Sequence, residues 1–296
     1  KSPMDVAQSY YLEGKYSAAQ DIYLNEFYSE ADCQDKILYF IASCSKELSN
    51  SDSKYWYSLL IQEYSQSPYA ELGKKDLALI YFAEKEYLRS EILLSQISKT
   101  ELKDDELYFK LAYSLFENNS LDDARYYFSK VTQTSRYKSL ALYYYAHIAY
   151  IHNLYKTSLS NFQLLEDDKV FGNIVPYYIA QIYFHQKKYK DLIDYTVPVL
   201  EHVIPSREKE IHRFLAESYY QLSDFQNAEI YFKSYISLSE NIQMIDYFQL
   251  GQINVFLEDY QEAIIYLEKI EDVSDSLSQY SSYYLGESYL QIGKKP

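Results

Sequence analysis

Five histidines (His147, His152, His185, His202 and His212) and two cysteines (Cys33 and Cys44) are the side chains best able to bind a metal or act as nucleophiles in this 296-residue chain. A zinc site on helices needs converging ligands at set spacings, such as His-Glu-x-x-His or paired cysteines, and neither pattern occurs. Six scattered glycines cannot build a loop that cradles phosphate. The acidic runs Asp104-Asp105-Glu106 and Glu166-Asp167-Asp168 lack the alternating ligands and central glycine of a calcium loop. They suit helix starts and solvated turns, where negative charge meets the positive end of the helix dipole. Serine, histidine and aspartate are present, but no spacing links them into a catalytic set. The expectation is a protein that is not an enzyme and takes neither a cofactor nor a metal.

Composition narrows the partners. There are 28 Lys plus Arg against 43 Asp plus Glu, a net charge of −15. Nucleic acid and anionic lipid reward basic surfaces, so neither is expected, and a neutral or basic protein is the natural partner. Glycine and proline are scarce, six of each, too few for the turns of a β-rich or nucleotide-binding α/β fold. Tyrosine is abundant, with 38 copies. A tyrosine buries its ring while its hydroxyl stays wet, which suits a thin all-α fold. Eleven residues of helix between Cys33 and Cys44 would span about 16 Å, too far for a disulfide, so both are read as free thiols. No apolar run is long enough to cross a bilayer, so direct membrane insertion is not expected. No leader is visible, and Lys1 does not look like a natural start.

The elements that would position any site follow from an internal repeat. A small residue is followed three later by an aromatic or similar residue, nine later by an aromatic or Leu, and twelve later by a second small residue. Ala7, Tyr10, Tyr16 and Ala19 show it, as do Ala78, Tyr81, Tyr87 and Ser90, and Ala216, Tyr219, Phe225 and Ala228. The leading small residues stand at 7, 42, 78, 112, 146, 180, 216, 251 and 286. The steps between them are 34 to 36 residues throughout. Small residues let the two helices of a pair approach closely. Large residues four after the second small one (Tyr23, Leu94, Phe128, Phe162, Phe232, Leu267) fill the space toward the next pair. No pair buries its apolar face alone, so stability must come from stacking. Lys54 stands where repeat two should have its second small residue, predicting irregular packing there. Pro198 should kink or shorten the second helix of repeat six.

This spacing resembles the tetratricopeptide repeat (TPR) and covers essentially the whole chain. The resemblance implies a right-handed superhelical, all-α solenoid of about eight and a half helix-turn-helix repeats. One solenoid over 1–296 would have repeats near 1–34, 35–70, 71–104, 105–138, 139–172, 173–208, 209–243 and 244–278, with a half repeat at 279–296. The proline that often closes a TPR is mostly missing, Pro68 and Pro205 being the nearest equivalents. Ala18-Ala19-Gln20, the run from Tyr143 to Tyr150 and the run from Phe171 to Tyr178 resemble the N-terminal part of long TPR proteins of Bacteroidetes. That resemblance implies an exported, periplasmic fragment of a longer protein, with a cytoplasmic location as the alternative. Gly293-Lys294-Lys295-Pro296 reads like the turn before a second helix. Asp275-Ser276-Leu277 resembles the short O-glycosylation acceptor of such proteins, though a serine there also serves as a helix cap.

With the leading small residue counted as position 8, positions 4, 7, 8 and 11 of each first helix pack the solenoid. Positions 2, 5, 9 and 12 form a second stripe at helical spacing. In TPR proteins that stripe lines the concave face. Here it holds Phe109, Tyr113 and Phe116, then Tyr143, His147 and Tyr150, then Tyr177, Gln181 and Phe184. It continues with Arg213, Glu217, Tyr220, Phe248 and Gln252. Rigid rings with a hydrogen-bonding tip are favoured interface anchors, so the stripe is expected to bind an extended segment or helix of another protein. The alternative is that the rings simply pack between helices, and near-complete burial of Tyr113, Tyr143 and Tyr177 would decide for it. A clamp for a C-terminal carboxylate needs Lys and Asn at positions 5 and 9, which this chain mostly lacks; Lys75 and Arg213 are isolated. The expected function is an interaction scaffold in envelope assembly or transport. A ligand-sensing regulatory module of a larger signalling protein is the alternative. The half repeat carrying Tyr283, Leu285 and Leu290 is expected to expose an apolar face and to support self-association.

Overall fold

A computed structural model describes residues 2–29, 32–97, 104–132, 134–270 and 276–293, and among these lie seventeen α-helices, one 3-10 turn and no strand. The helices come in pairs joined by short turns: α1 (Pro3–Leu12) with α2 (Tyr16–Tyr28), α3 (Gln34–Glu47) with α4 (Ser53–Glu63), and α5 (Pro68–Ala83) with α6 (Tyr87–Gln96). Next are α7 (Asp105–Glu117) with α8 (Leu121–Phe128), α9 (Lys138–Ile151) followed by α10 (Tyr155–Gln163), and α11 (Val175–His185) with α12 (Tyr189–Val199). The series ends with α13 (Pro205–Gln221) and α14 (Phe225–Ser237), α15 (Met244–Phe256) and α16 (Tyr260–Leu267), and α17 (Ser276–Gln291). The chain is an all-α solenoid of helix pairs.

The turn inside each pair has one construction. Gly14, Ser49, Lys85, Asn119, Asn153, Lys187, Ser223, Glu258 and Gly293 all adopt left-handed backbone, with φ from +57° to +74°. Their spacing reproduces the steps of the small residues throughout. The N–H of the following residue donates to a carbonyl five residues back, as in Lys15 to Tyr10 (2.9 Å), Glu86 to Tyr81 (2.8 Å) and Asp259 to Asn254 (2.9 Å). That bond closes the last turn of the first helix and reverses the chain. Several helices then start on a side-chain cap (Ser2, Ser67, Asp104, Asp224, Asp259) or a proline in the first turn (Pro3, Pro68, Pro176, Pro205). Pro68 and Pro205 thus open helices. They start α5 and α13 a few residues ahead of the expected boundaries at 71 and 209, and α17 likewise begins before 279.

The small residues mark close approach. Ser90 Oγ donates to the carbonyl of Ala78 at 3.0 Å, and a Cβ on Gly251 would lie 2.6 Å from Leu267 Cγ. Repeat two departs from the expected register. Lys54 does not stand at the helix crossing; it reaches out to Glu84 at 2.7 Å. Ser53, 5 % exposed, and the fully buried Tyr57 take the inward places, one residue earlier than the repeat pattern requires. The longer turn between α3 and α4 permits this slip. Pro198 lies in the last turn of α12, which is no shorter than most second helices, ends at Val199 and passes into the 3-10 turn Leu200–His202.

The chain divides into two compact units, Lys1–Ile148 and Ala149–Pro296. The first has successive core layers around Ala7, Tyr23 and Ile41, around Ala42, Tyr57 and Leu77, and around Ala78, Leu107 and Phe128. In the second the layers centre on Ala180, Leu192 and Leu215, on Ala216, Phe232 and Ile253, and on Ala263 and Leu267. Each layer draws on neighbouring pairs, which is why one pair could not hold alone. Cys33 is exposed and Cys44 buried, both as free thiols, and burial pushes the Cys44 thiol up to about 12. Among the described residues no helix is long and apolar enough to cross a membrane.

Candidate functional site

In the first unit the stripe lies on α7 and α9. Phe109 is buried at 7 % exposure, its ring stacked on Tyr137 with centroids 4.9 Å apart, so it lines no surface. Tyr113, Phe116, Tyr143 and His147 are half-buried. Tyr113 meets Tyr144 edge-on at 5.2 Å and Tyr87 at 5.4 Å, while Tyr143 stacks on His147 at 5.9 Å. Burial raises the Tyr113 phenol well above its ordinary value and lowers the His147 imidazole, leaving both neutral near pH 7.

The second unit carries the rest. Tyr150, Tyr177, Gln181 and Phe184 are half-buried, as are Arg213, Glu217, Tyr220, Phe248 and Gln252. The Tyr150 hydroxyl lies 3.2 Å from His185 Nε2, and burial pushes that phenol up to about 12. The Arg207 guanidinium sits 4.6 Å over the Tyr177 ring. Further along, polar groups link successive helices. Tyr220 donates to Gln252 Oε1 at 2.7 Å, and Gln252 Nε2 donates to Tyr284 at 2.9 Å. Arg213 donates to the Tyr235 hydroxyl at 3.2 Å and stands 3.5 Å from the fully buried Asp246 carboxylate. Glu217 accepts from Gln249 Nε2 at 3.2 Å. Burial raises its carboxyl above the usual range, against the lowering effects of Gln249 and Arg213.

The stripe positions are therefore bound into the solenoid while most remain reachable. A further position does much of that binding and went unrecognised in the sequence. The residue two before the leading small one meets position 12 of the preceding repeat. Tyr144 packs on Phe116 at 5.1 Å, Tyr178 on Tyr150 at 5.9 Å, and Phe214 on Phe184 at 5.0 Å. The same pair of positions gives the Lys46–Asp76 ion pair at 3.0 Å and places Lys110 5.2 Å over the Phe82 ring. Its signal was a recurring aromatic at a fixed offset, interrupted where charge takes its place. Phe116, Tyr150 and Phe184 accordingly serve inter-repeat packing.

A point mutant of MamA has a similar structure, with a TM-score of 0.51 at 14% identity, covering 58% of this chain and 94% of that one. The chain has the TPR fold. A TPR protein from Parabacteroides merdae is also similar (TM-score 0.47, 12% identity, 86% of this chain and 98% of that one). So is PilF of Pseudomonas aeruginosa (TM-score 0.48, 13% identity, 76% and 97%). No family model and no curated protein matches the sequence. These likenesses are of fold and carry nothing about export. Among the described residues no group of His, Cys, Asp and Glu converges on a metal-sized site. Of the glycosylation triplet, Asp275 lies outside the described residues, while Ser276 is exposed at the first position of α17. Lys294–Pro296 also lie outside them.

Proposed function

We propose that the chain is a non-enzymatic scaffold that holds other proteins, taking a partner's extended segment or helix on the TPR stripe. The observation that carries this reading is the state of Tyr113, Tyr143 and Tyr177. Each is half-buried and held by neighbouring rings, which keeps part of its surface open in a fixed orientation. An ordered ring loses little entropy when a partner covers it. The net charge of −15 favours a neutral or basic partner. The resemblance of the runs at Tyr143–Tyr150 and Phe171–Tyr178 to exported TPR proteins of Bacteroidetes supports a role in envelope assembly or transport, in the periplasm.

A pull-down from native envelope extract tests this, comparing the parent with a Tyr113→Ala, Tyr143→Ala, Tyr177→Ala variant of matched helicity. Specific capture by the parent and its loss in the variant is the expected result. Equal capture by both, or none by either, would return the stripe to packing alone.

A further inference from the structure

The junction between α13 and α15 departs from a contact kept in the repeats before it. There the residue two before the leading small one packs on position 12 of the preceding repeat, as Tyr144 does on Phe116 and Phe214 on Phe184. Gln249 holds that place in repeat eight, and it turns instead to Glu217, at position 9 of the stripe. Its Nε2 donates between the two carboxylate oxygens, at 3.2 and 3.5 Å. Tyr220, at position 12, donates to Gln252.

Around this contact acceptors outnumber donors. Glu217 is half-buried, and both of its oxygens share the one amide group. Gln249 Oε1 is buried and accepts no hydrogen bond. Asp246 is fully buried; its Oδ2 accepts from the Tyr235 hydroxyl and the Gln243 N–H, while its Oδ1 has no hydrogen bond. The cluster is also one positive charge short. Against the two carboxylates of Glu217 and Asp246 stands Arg213, which donates to the Tyr235 hydroxyl and lies 3.5 Å from Asp246 Oδ1. Among the described residues no Lys or Arg comes within ion-pair distance of Glu217. A carboxylate drawn out of water without a counter-ion destabilises the chain that carries it. What relieves it is a group bringing both positive charge and several N–H donors, which describes a lysine or arginine side chain.

We propose that Glu217 is the seat for one cationic side chain, arginine or lysine, of a partner segment lying on the stripe. This seat presupposes the stripe as the binding face and adds a chemical requirement at one place on it. The net charge of −15 draws such a side chain in, and the ion pair then forms where water is already partly excluded.

Short peptides test the seat directly: acetylated and amidated Ala-Ala-Arg-Ala-Ala, its lysine analogue, and its citrulline analogue, which keeps the shape of arginine without the charge. Each is titrated to about 20 mM against isotope-labelled chain, following the side-chain amide signal of Gln249, assigned with Gln249→Leu. The arginine and lysine peptides should shift that signal along a saturating curve, and the citrulline peptide should leave it in place. Glu217→Gln should weaken binding of both cationic peptides by about tenfold or more. Glu201→Gln makes the same charge change at an exposed site of the same unit and should leave their binding unaltered. Matched circular dichroism establishes that each variant keeps the fold. No shift in the parent, an equal shift with citrulline, or unweakened binding to Glu217→Gln overturns the proposal. So does equal weakening by Glu201→Gln, since the attraction would then be diffuse. Tyr113, Tyr143 and Tyr177 take no part in this contact, so failure here leaves the aromatic stripe to its own pull-down, and failure there does not alter this titration.

Discussion

At the scale of single residues, identical positions in the repeat carry opposite consequences. Gly251 and Gly286 both stand at the leading small position, yet among the described residues Leu267 presses on the first and nothing on the second. Gly286→Ala should therefore stabilise this 296-residue chain by about 1 kcal/mol through helix propensity alone. Gly251→Ala gains the same propensity but drives a Cβ into Leu267, so it should destabilise on balance, by about 1–2 kcal/mol. Urea unfolding of the two variants, which differ in sign, checks both. Glu217 supplies a test in pH. Its carboxyl is raised by burial, so its contribution to stability is full below the ordinary carboxylate range and is lost as pH rises through the folded value. Glu217→Gln should accordingly be more stable than the parent at pH 7, and the gap should close near about pH 4. A gap that widens toward acid would mean that the charged form is favoured by its neighbours.

At the scale of the helix pair, the left-handed turn recurs nine times among the described residues but is occupied by glycine only at Gly14 and Gly293. Lys85, Lys187 and Glu258 are exposed and hold φ near +60° with a Cβ that disfavours it. Replacing each by Gly should stabilise by about 0.5–1 kcal/mol after the entropy cost of glycine. The three sites lie in different pairs, so a triple variant should approach the sum. Thermal melts of the single and triple variants test it; no gain would mean that these side chains make compensating contacts in the turn. The contact between position 12 and the following position 6 belongs to this scale too. It accepts rings, an ion pair or a cation over a ring, because two sites facing across neighbouring helices require only complementary chemistry.

At the scale of the molecule, stability is shared among thin layers, and charge limits association. The field of a chain of charge −15 reaches beyond any single contact and is screened by salt. Capture of a basic partner on the stripe should therefore weaken as salt is raised from low to moderate concentration. Capture that does not change with salt would mean a neutral partner.

The sequence by itself determined the period, the helix pairs, the turns between them and the TPR fold, because these follow from local spacing that one chain repeats many times. Ala7 through Gly251 mark helix crossings wherever a small residue recurs, and the left-handed turns keep their phase. The tertiary structure decided what depends on neighbours about thirty residues away. It buried Phe109 against Tyr137, turned Tyr144, Tyr178 and Phe214 onto the preceding repeat, and moved the inward residues of α4 from Lys54 to Ser53 and Tyr57. It also paired Arg213 with Asp246 and left Glu217 to Gln249. Periodicity says which side of a helix a residue occupies. Only packing against the next pair says whether that side is open, because exposure depends on residues far away in the chain.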